Sequence, residues 1–118
     1  MKIRKTNNLE REDFALKIGH HLTTVKQWEI EDVFPKPDSI KNICDNFNIS
    51  LNYFHDYYNI YFSDYIAKIR NWKDTNKLTY SQVIKLLEIS HSGLARLLNE
   101  KFKLSYNIYM KFQELNVF

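Results

Sequence analysis

One pattern is written twice in this chain of 118 residues, 69 positions apart, and it leaves few architectures open. Leu9, Phe14, Ile18, Gly19, Val25 and Trp28 line up with Leu78, Val83, Leu87, Glu88, Leu94 and Leu97. In each copy a short helical period is broken by a brief polar turn, and a second helical period with a mostly polar outer face follows at once. Repetition on this scale means two copies of one supersecondary unit, here a pair of short helices. Only two glycines and two prolines punctuate the chain, so an all-helical reading is favoured over strands. The expected fold class is all-α, as two small helical bundles, and large aromatic rings let bundles of this size bury enough area to fold.

In the first copy, residues 1–6 predict a short helix with Ile3 inward, and Asn7-Asn8 a polar break. Phe14, Ala15 and Ile18 form the apolar stripe of a second helix, after which Gly19 permits a left-handed turn. A third helix starts near His21 and runs to Glu29, burying Val25 and Trp28 and turning Leu22, Thr23, Lys26 and Gln27 outward. Pro37 opens a fourth, with Ile40, Ile43, Cys44 and Phe47 on one face, and proline suits a first turn because its missing amide has no helical partner there. Ile49, Leu51, Tyr53 and Phe54 close this domain, residues 1–54.

The segment Phe14-Ala15-x-x-Ile18-Gly19-x5-Val25-x-x-Trp28-Glu29, followed by Pro37-x-x-Ile40-x-x-Ile43 and Phe47–Phe54, resembles the phage-repressor-like (XRE or lambda-repressor-like) helix-turn-helix family. That resemblance implies a compact bundle of about five helices whose second and third form a reader of double-stranded DNA. Position by position, it implies a phosphate contact at Arg11 and a base-facing surface at Leu22, Thr23, Lys26 and Gln27. It also implies a pair, Arg4 with Glu29, that ties the first helix to the end of the reading helix; taken as exposed, such a pair contributes at most about 1 kcal/mol. Two positions depart from the family: His21 replaces a small hydroxyl residue and weakens the helix cap, and Leu22 replaces a polar reader yet can still touch a thymine methyl.

Residues 55–62 read as an aromatic linker, too apolar for a free tether, and residues 63–118 as the second, divergent domain. Here a helix from Ser63 to about Thr75 buries Ile66, Ile69 and Trp72. Thr79-x-x-Gln82 is a capping box that announces the next helix, with Val83, Ile84 and Leu87 inward. Ser90 caps a helix running to Asn99 that buries Leu94, Leu97 and Leu98 and turns His91, Ser92, Ala95 and Arg96 outward. A last helix from about Ser105 buries Ile108, Phe112 and Leu115. Glu88 stands where the family has its turn glycine and Leu98 where it has Glu, leaving open a differently shaped turn or a module turned to dimerisation. Gly93 inside the helix costs about 1 kcal/mol against alanine. Arg96 is the best guanine reader by residue type, and Lys85, Lys101 and Lys103 can meet phosphate.

Charge agrees with a polyanionic partner for the second half. Residues 1–54 hold eight Lys/Arg against eight Asp/Glu, whereas residues 63–118 hold nine against five. The single Cys44 lies on an apolar stripe and forms no internal disulfide, which fits a reducing compartment. No apolar run is long enough to span a bilayer, and no hydrophobic stretch follows Lys2, Arg4 and Lys5, so a cytoplasmic protein without membrane contact is expected. His20, His21, His55 and Asp56 lack metal-ligand spacing, and no phosphate loop, carboxylate pair or activated nucleophile is visible. The expectation is a transcriptional regulator, which the family resemblance alone implies to be a repressor, with no catalysis, cofactor, metal or small-molecule ligand. Its two readers, led by Thr23 and Gln27 and by Ser92 and Arg96, would meet two unlike half-sites, and a homodimer is compatible with that. The alternative is a protein-interaction module of the antitoxin or antirepressor type.

Overall fold

Backbone turns fall where short polar stretches interrupt the helical period. The computed structural model describes residues 2–118, and among these the elements are nine α-helices and one 3-10 turn, with no strand, as the all-helical reading expects. The first four helices are α1 (Lys2–Thr6), α2 (Arg11–Lys17), α3 (Leu22–Ile30) and α4 (Pro37–Phe47), followed by the 3-10 turn Leu51–Tyr53 and α5 (Asp56–Tyr61). Then come α6 (Tyr65–Thr75), α7 (Tyr80–Leu87), α8 (His91–Leu98) and α9 (Tyr106–Glu114). Met1, included in the first expected helix, lies outside the described residues. The chain divides into two compact units, one ending at Tyr58 and one spanning Asn59–Phe118.

In the first unit, Phe14, Ile18, Val25, Ile40 and Ile43 are fully buried, and the Phe14 ring stacks on Phe47 at 5.5 Å. The aromatic stretch read as a linker is helical. Its Tyr57 and Tyr58 are buried, with Tyr58 stacked on Phe34 at 5.3 Å and its hydroxyl donating to the Pro35 carbonyl at 2.7 Å. A tyrosine goes fully inside only when its hydroxyl finds such a partner. In the second unit the core is Ile69, Val83, Leu87, Leu94, Leu97, Leu104, Tyr109 and Phe112.

Several expected core residues sit shallower than their periodicity suggests. Trp28 and Trp72 are half-buried rather than buried anchors. Trp28 stands at a rim, edge-on to His20 at 5.2 Å, and Trp72 meets Phe112 edge-on at 6.2 Å. An indole is too large for the centre of so small a bundle, and its N–H is cheaper to keep near water. Ile66, Ile84, Ile108 and Leu115 are half-buried too, and Tyr65 and Tyr109 are the buried residues next to Ile66 and Ile108 in the chain.

The written repeat has a physical counterpart in bonds made at the same 69-residue offset. The Leu9 amide donates to the Arg4 carbonyl at 3.0 Å, and the Leu78 amide to the Lys73 carbonyl at 2.9 Å. The side-chain amides of Asn7 and Asn76 donate to Ile3 and Trp72 carbonyls, both at 2.8 Å. The His20 amide closes on Ala15 at 2.8 Å, and that of Ile89 on Ile84 at 3.4 Å. Even the support from the fourth helix matches: Asn42 donates to the Ile18 carbonyl, and Lys111 to that of Leu87 at 2.6 Å. In both units a side chain 24 residues on ties down the end of the helix before the turn.

Candidate nucleic-acid interface

Four residues, 18–21, connect α2 to α3. Gly19, at φ +72°, takes the left-handed conformation that a side chain would resist by about 1–2 kcal/mol. His21 is the N-cap of α3 and, lacking a short acceptor, makes no side-chain cap bond, as its sequence position predicts. Replacing it with serine is expected to raise the stability of the first unit by about 1 kcal/mol, read as a higher urea midpoint at unchanged slope.

Val25 plugs α3 into the core, which fixes what the helix turns outward. Thr23 and Lys26 are exposed, Leu22 and Gln27 half-exposed, and the four lie along one side of the helix at i, i+1, i+4 and i+5. The far end of α3 is held by a largely shielded ion pair rather than a fully exposed one. Arg4 reaches Glu29 in a bidentate grip, Nε to Oε1 at 2.9 Å and Nη2 to Oε2 at 3.0 Å, with side chains 11% and 4% exposed. Its third nitrogen, Nη1, donates to the Leu9 carbonyl at 2.9 Å. Burial pushes the Glu29 carboxyl up, but opposing interactions led by the Arg4 hydrogen bonds outweigh it and bring the group down to about 2.

Arg11, the first residue of α2, joins this network. Its Nε lies 3.5 Å from Glu29 Oε1, buried and hydrogen-bonded to nothing among the described residues. The guanidinium is thus partly committed to α3, a role the sequence pattern did not signal. Arg4, Arg11 and Lys26 line a cleft of about 470 Å³ together with Glu10 and Glu12, so the basic groups meet acidic neighbours there. A second groove, of about 350 Å³, is lined in part by His20, Thr24, Gln27, Trp28 and Phe34.

The second unit builds the corresponding pair of helices with different means. Thr79 and Gln82 form the reciprocal capping box at the start of α7, at 3.2 and 2.8 Å. Glu88, at φ +55°, takes the left-handed position that Gly19 holds in the first unit, so the turn is not reshaped by the missing glycine. Ser90 caps α8 by accepting from the Gly93 amide at 3.0 Å, and a Cβ on Gly93 would stand 3.0 Å from that same hydroxyl. The glycine therefore belongs to the cap and not to the helix interior.

Leu94 and Leu97 seat α8, leaving His91, Ser92 and Arg96 exposed and Ala95 half-exposed. His91 leans on Tyr80 at 6.1 Å, and Lys73 lies over the Tyr80 ring at 4.9 Å. Lys101 and Lys103 are exposed in the segment between α8 and α9, and Lys85 is exposed on α7. Lys111, which sequence reasoning passed over, is spent on the Leu87 carbonyl; its distant partner leaves no local trace in the sequence.

Among the described residues, no three His, Cys, Asp or Glu side chains gather as a metal-binding group. Burial pushes the Cys44 thiol above its ordinary value, the reverse of what an activated nucleophile needs. No helix of the described residues is long and apolar enough to cross a membrane.

Residues 1–54 match the family model described as Helix-turn-helix, over the same stretch that carries the resemblance in the sequence. No curated protein and no solved structure matches the chain.

Proposed function

We propose that the chain is a sequence-specific double-stranded DNA-binding regulator that lays α3 in the major groove and represses by occupying promoter DNA. The observation that carries this reading is a buried scaffold presenting one side of a short helix, Leu22, Thr23, Lys26 and Gln27, within residues that match the helix-turn-helix family. Thr23 and Gln27 would meet base edges and Leu22 a thymine methyl, with Lys26 and the outer nitrogens of Arg11 on phosphate. We extend the reading to α8, with His91, Ser92 and Arg96 toward bases and Lys101 and Lys103 on phosphate. The bonds made at equal offset in the two units support that extension. A homodimer is compatible with it and would lengthen the recognised site.

Selection from a pool of random duplexes, with the retained sequence titrated across salt, tests the proposal. The expected result is one enriched motif whose affinity falls steeply with salt, by a slope of about −0.9 for each phosphate neutralised. Removing two of those contacts with the double variant Lys101→Ala, Lys103→Ala is expected to flatten the slope by about 2 and leave the preferred sequence unchanged.

A second reading, a helical module that binds a protein partner, draws on Leu16 and Ile30, which are 81% and 60% exposed in the first unit. No enrichment and no binding at low salt would move the assignment there.

A further inference from the structure

The two candidate reading helices carry different side chains on the same frame. Residue for residue, Leu22, Thr23, Lys26 and Gln27 of α3 correspond to His91, Ser92, Ala95 and Arg96 of α8. The correspondence is physical, because the bonds that set each helix recur at one offset. The turn closes through His20 to Ala15 and through Ile89 to Ile84, and the preceding helix end is held by Asn42 and by Lys111. Val25 and Leu94, again matched, are the fully buried residues that set the rotation of each helix about its axis. Gln27 and Arg96 therefore stand at one structural position, and neither side chain makes a hydrogen bond among the described residues.

Their chemistry at that position differs in kind. A Gln amide offers a donor and an acceptor side by side and fits adenine N6 and N7, whereas an Arg guanidinium offers only donors and fits guanine O6 and N7. The surroundings differ in sign as well: Asp32 and Phe34 follow α3 where Lys101 and Lys103 follow α8, and all four are exposed. Two subunits of a symmetric dimer present one code twice; these two units present two.

We infer that the chain reads a composite site of two unlike halves, with an A·T pair at the position set by Gln27 and a G·C pair at the equivalent position set by Arg96. This rests on the DNA reading proposed above. Electrostatic attachment falls mainly to the half bound by the second unit, where the matched positions are basic.

The test is duplex selection with the wild-type protein and with Gln27→Arg and Arg96→Gln separately, each variant checked for an unchanged thermal melt. Wild type is expected to enrich two different halves. Gln27→Arg should convert the adenine of one half to guanine and leave the other half as it was, and Arg96→Gln should do the reverse. On the wild-type sequence each exchange should weaken binding roughly ten- to hundred-fold. Two identical halves for wild type, or folded exchange variants that retain the wild-type motif, would overturn the inference and leave DNA reading intact. A wild-type protein that retains no duplex would remove the DNA reading itself, and this inference with it.

Discussion

Glu29→Ala is expected to cost the first unit about 3–5 kcal/mol, enough to unfold a bundle of this size near room temperature. The loss comes less from a missing attraction than from what is left behind. Arg4 would remain charged, 11% exposed, with two nitrogens stripped of their partner, and Arg11 Nε would lose the carboxylate 3.5 Å away. Removing both sides of the pair should be far milder, because an apolar pair of similar volume carries no desolvation cost. The second unit is apolar on one side of this pair, with buried Leu98 at the position of Glu29 and Lys73 at that of Arg4. Urea denaturation of Glu29→Ala beside the double variant Arg4→Met, Glu29→Leu is the check, and most of the lost stability should return in the double variant.

The same pair sets an acid limit. Glu29 lies at about 2 against an ordinary value of 4.5, so its folded-state group is depressed. Its contribution is then fully present above about pH 4.5 and is lost as pH falls toward 2, roughly 3 kcal/mol in all. In Glu29→Gln that pH dependence should vanish, while the stability of the second unit keeps its own acid profile.

Phe112→Ala should be equally severe in the second unit, about 3–5 kcal/mol. Phe112 is fully buried, edge-on to Trp72 at 6.2 Å and to Phe118 at 5.5 Å, so truncation opens a cavity among rings that cannot easily collapse. Each unit holds one tryptophan, Trp28 in the first and Trp72 in the second. In a Trp28→Phe background the emission of Trp72 should shift to the red at low urea once Phe112 is truncated. An unchanged midpoint would mean that the ring is not the keystone its burial suggests.

What the sequence made legible follows from what local pattern encodes. The helical period identified the buried faces of Phe14, Ile18, Val25, Leu87 and Leu94, because a face repeats every 3.6 residues whatever it packs against. Caps were legible for the same reason: Thr79, Gln82 and Ser90 act within three residues of themselves. Depth was not legible, since Trp28 and Val25 share a stripe and only tertiary closure decides which reaches the centre. Nor was the burial of Arg4 and Glu29, 25 residues apart, or the pairing of Tyr58 with Pro35. Glu88 shows the limit from the other side. The absence of glycine suggested a different turn, but a strained left-handed Glu is tolerated when Ile84, Leu87 and Lys111 fix the backbone around it.

The most direct measurement of the central claim is an amide chemical-shift map of the ¹⁵N-labelled chain titrated with the duplex best retained from a random pool. The account expects the largest changes in α3, around Leu22, Thr23, Lys26 and Gln27, with a second set around Ser92, Arg96, Lys101 and Lys103. Changes that avoid both helices and gather instead around Leu16 and Ile30 would contradict it.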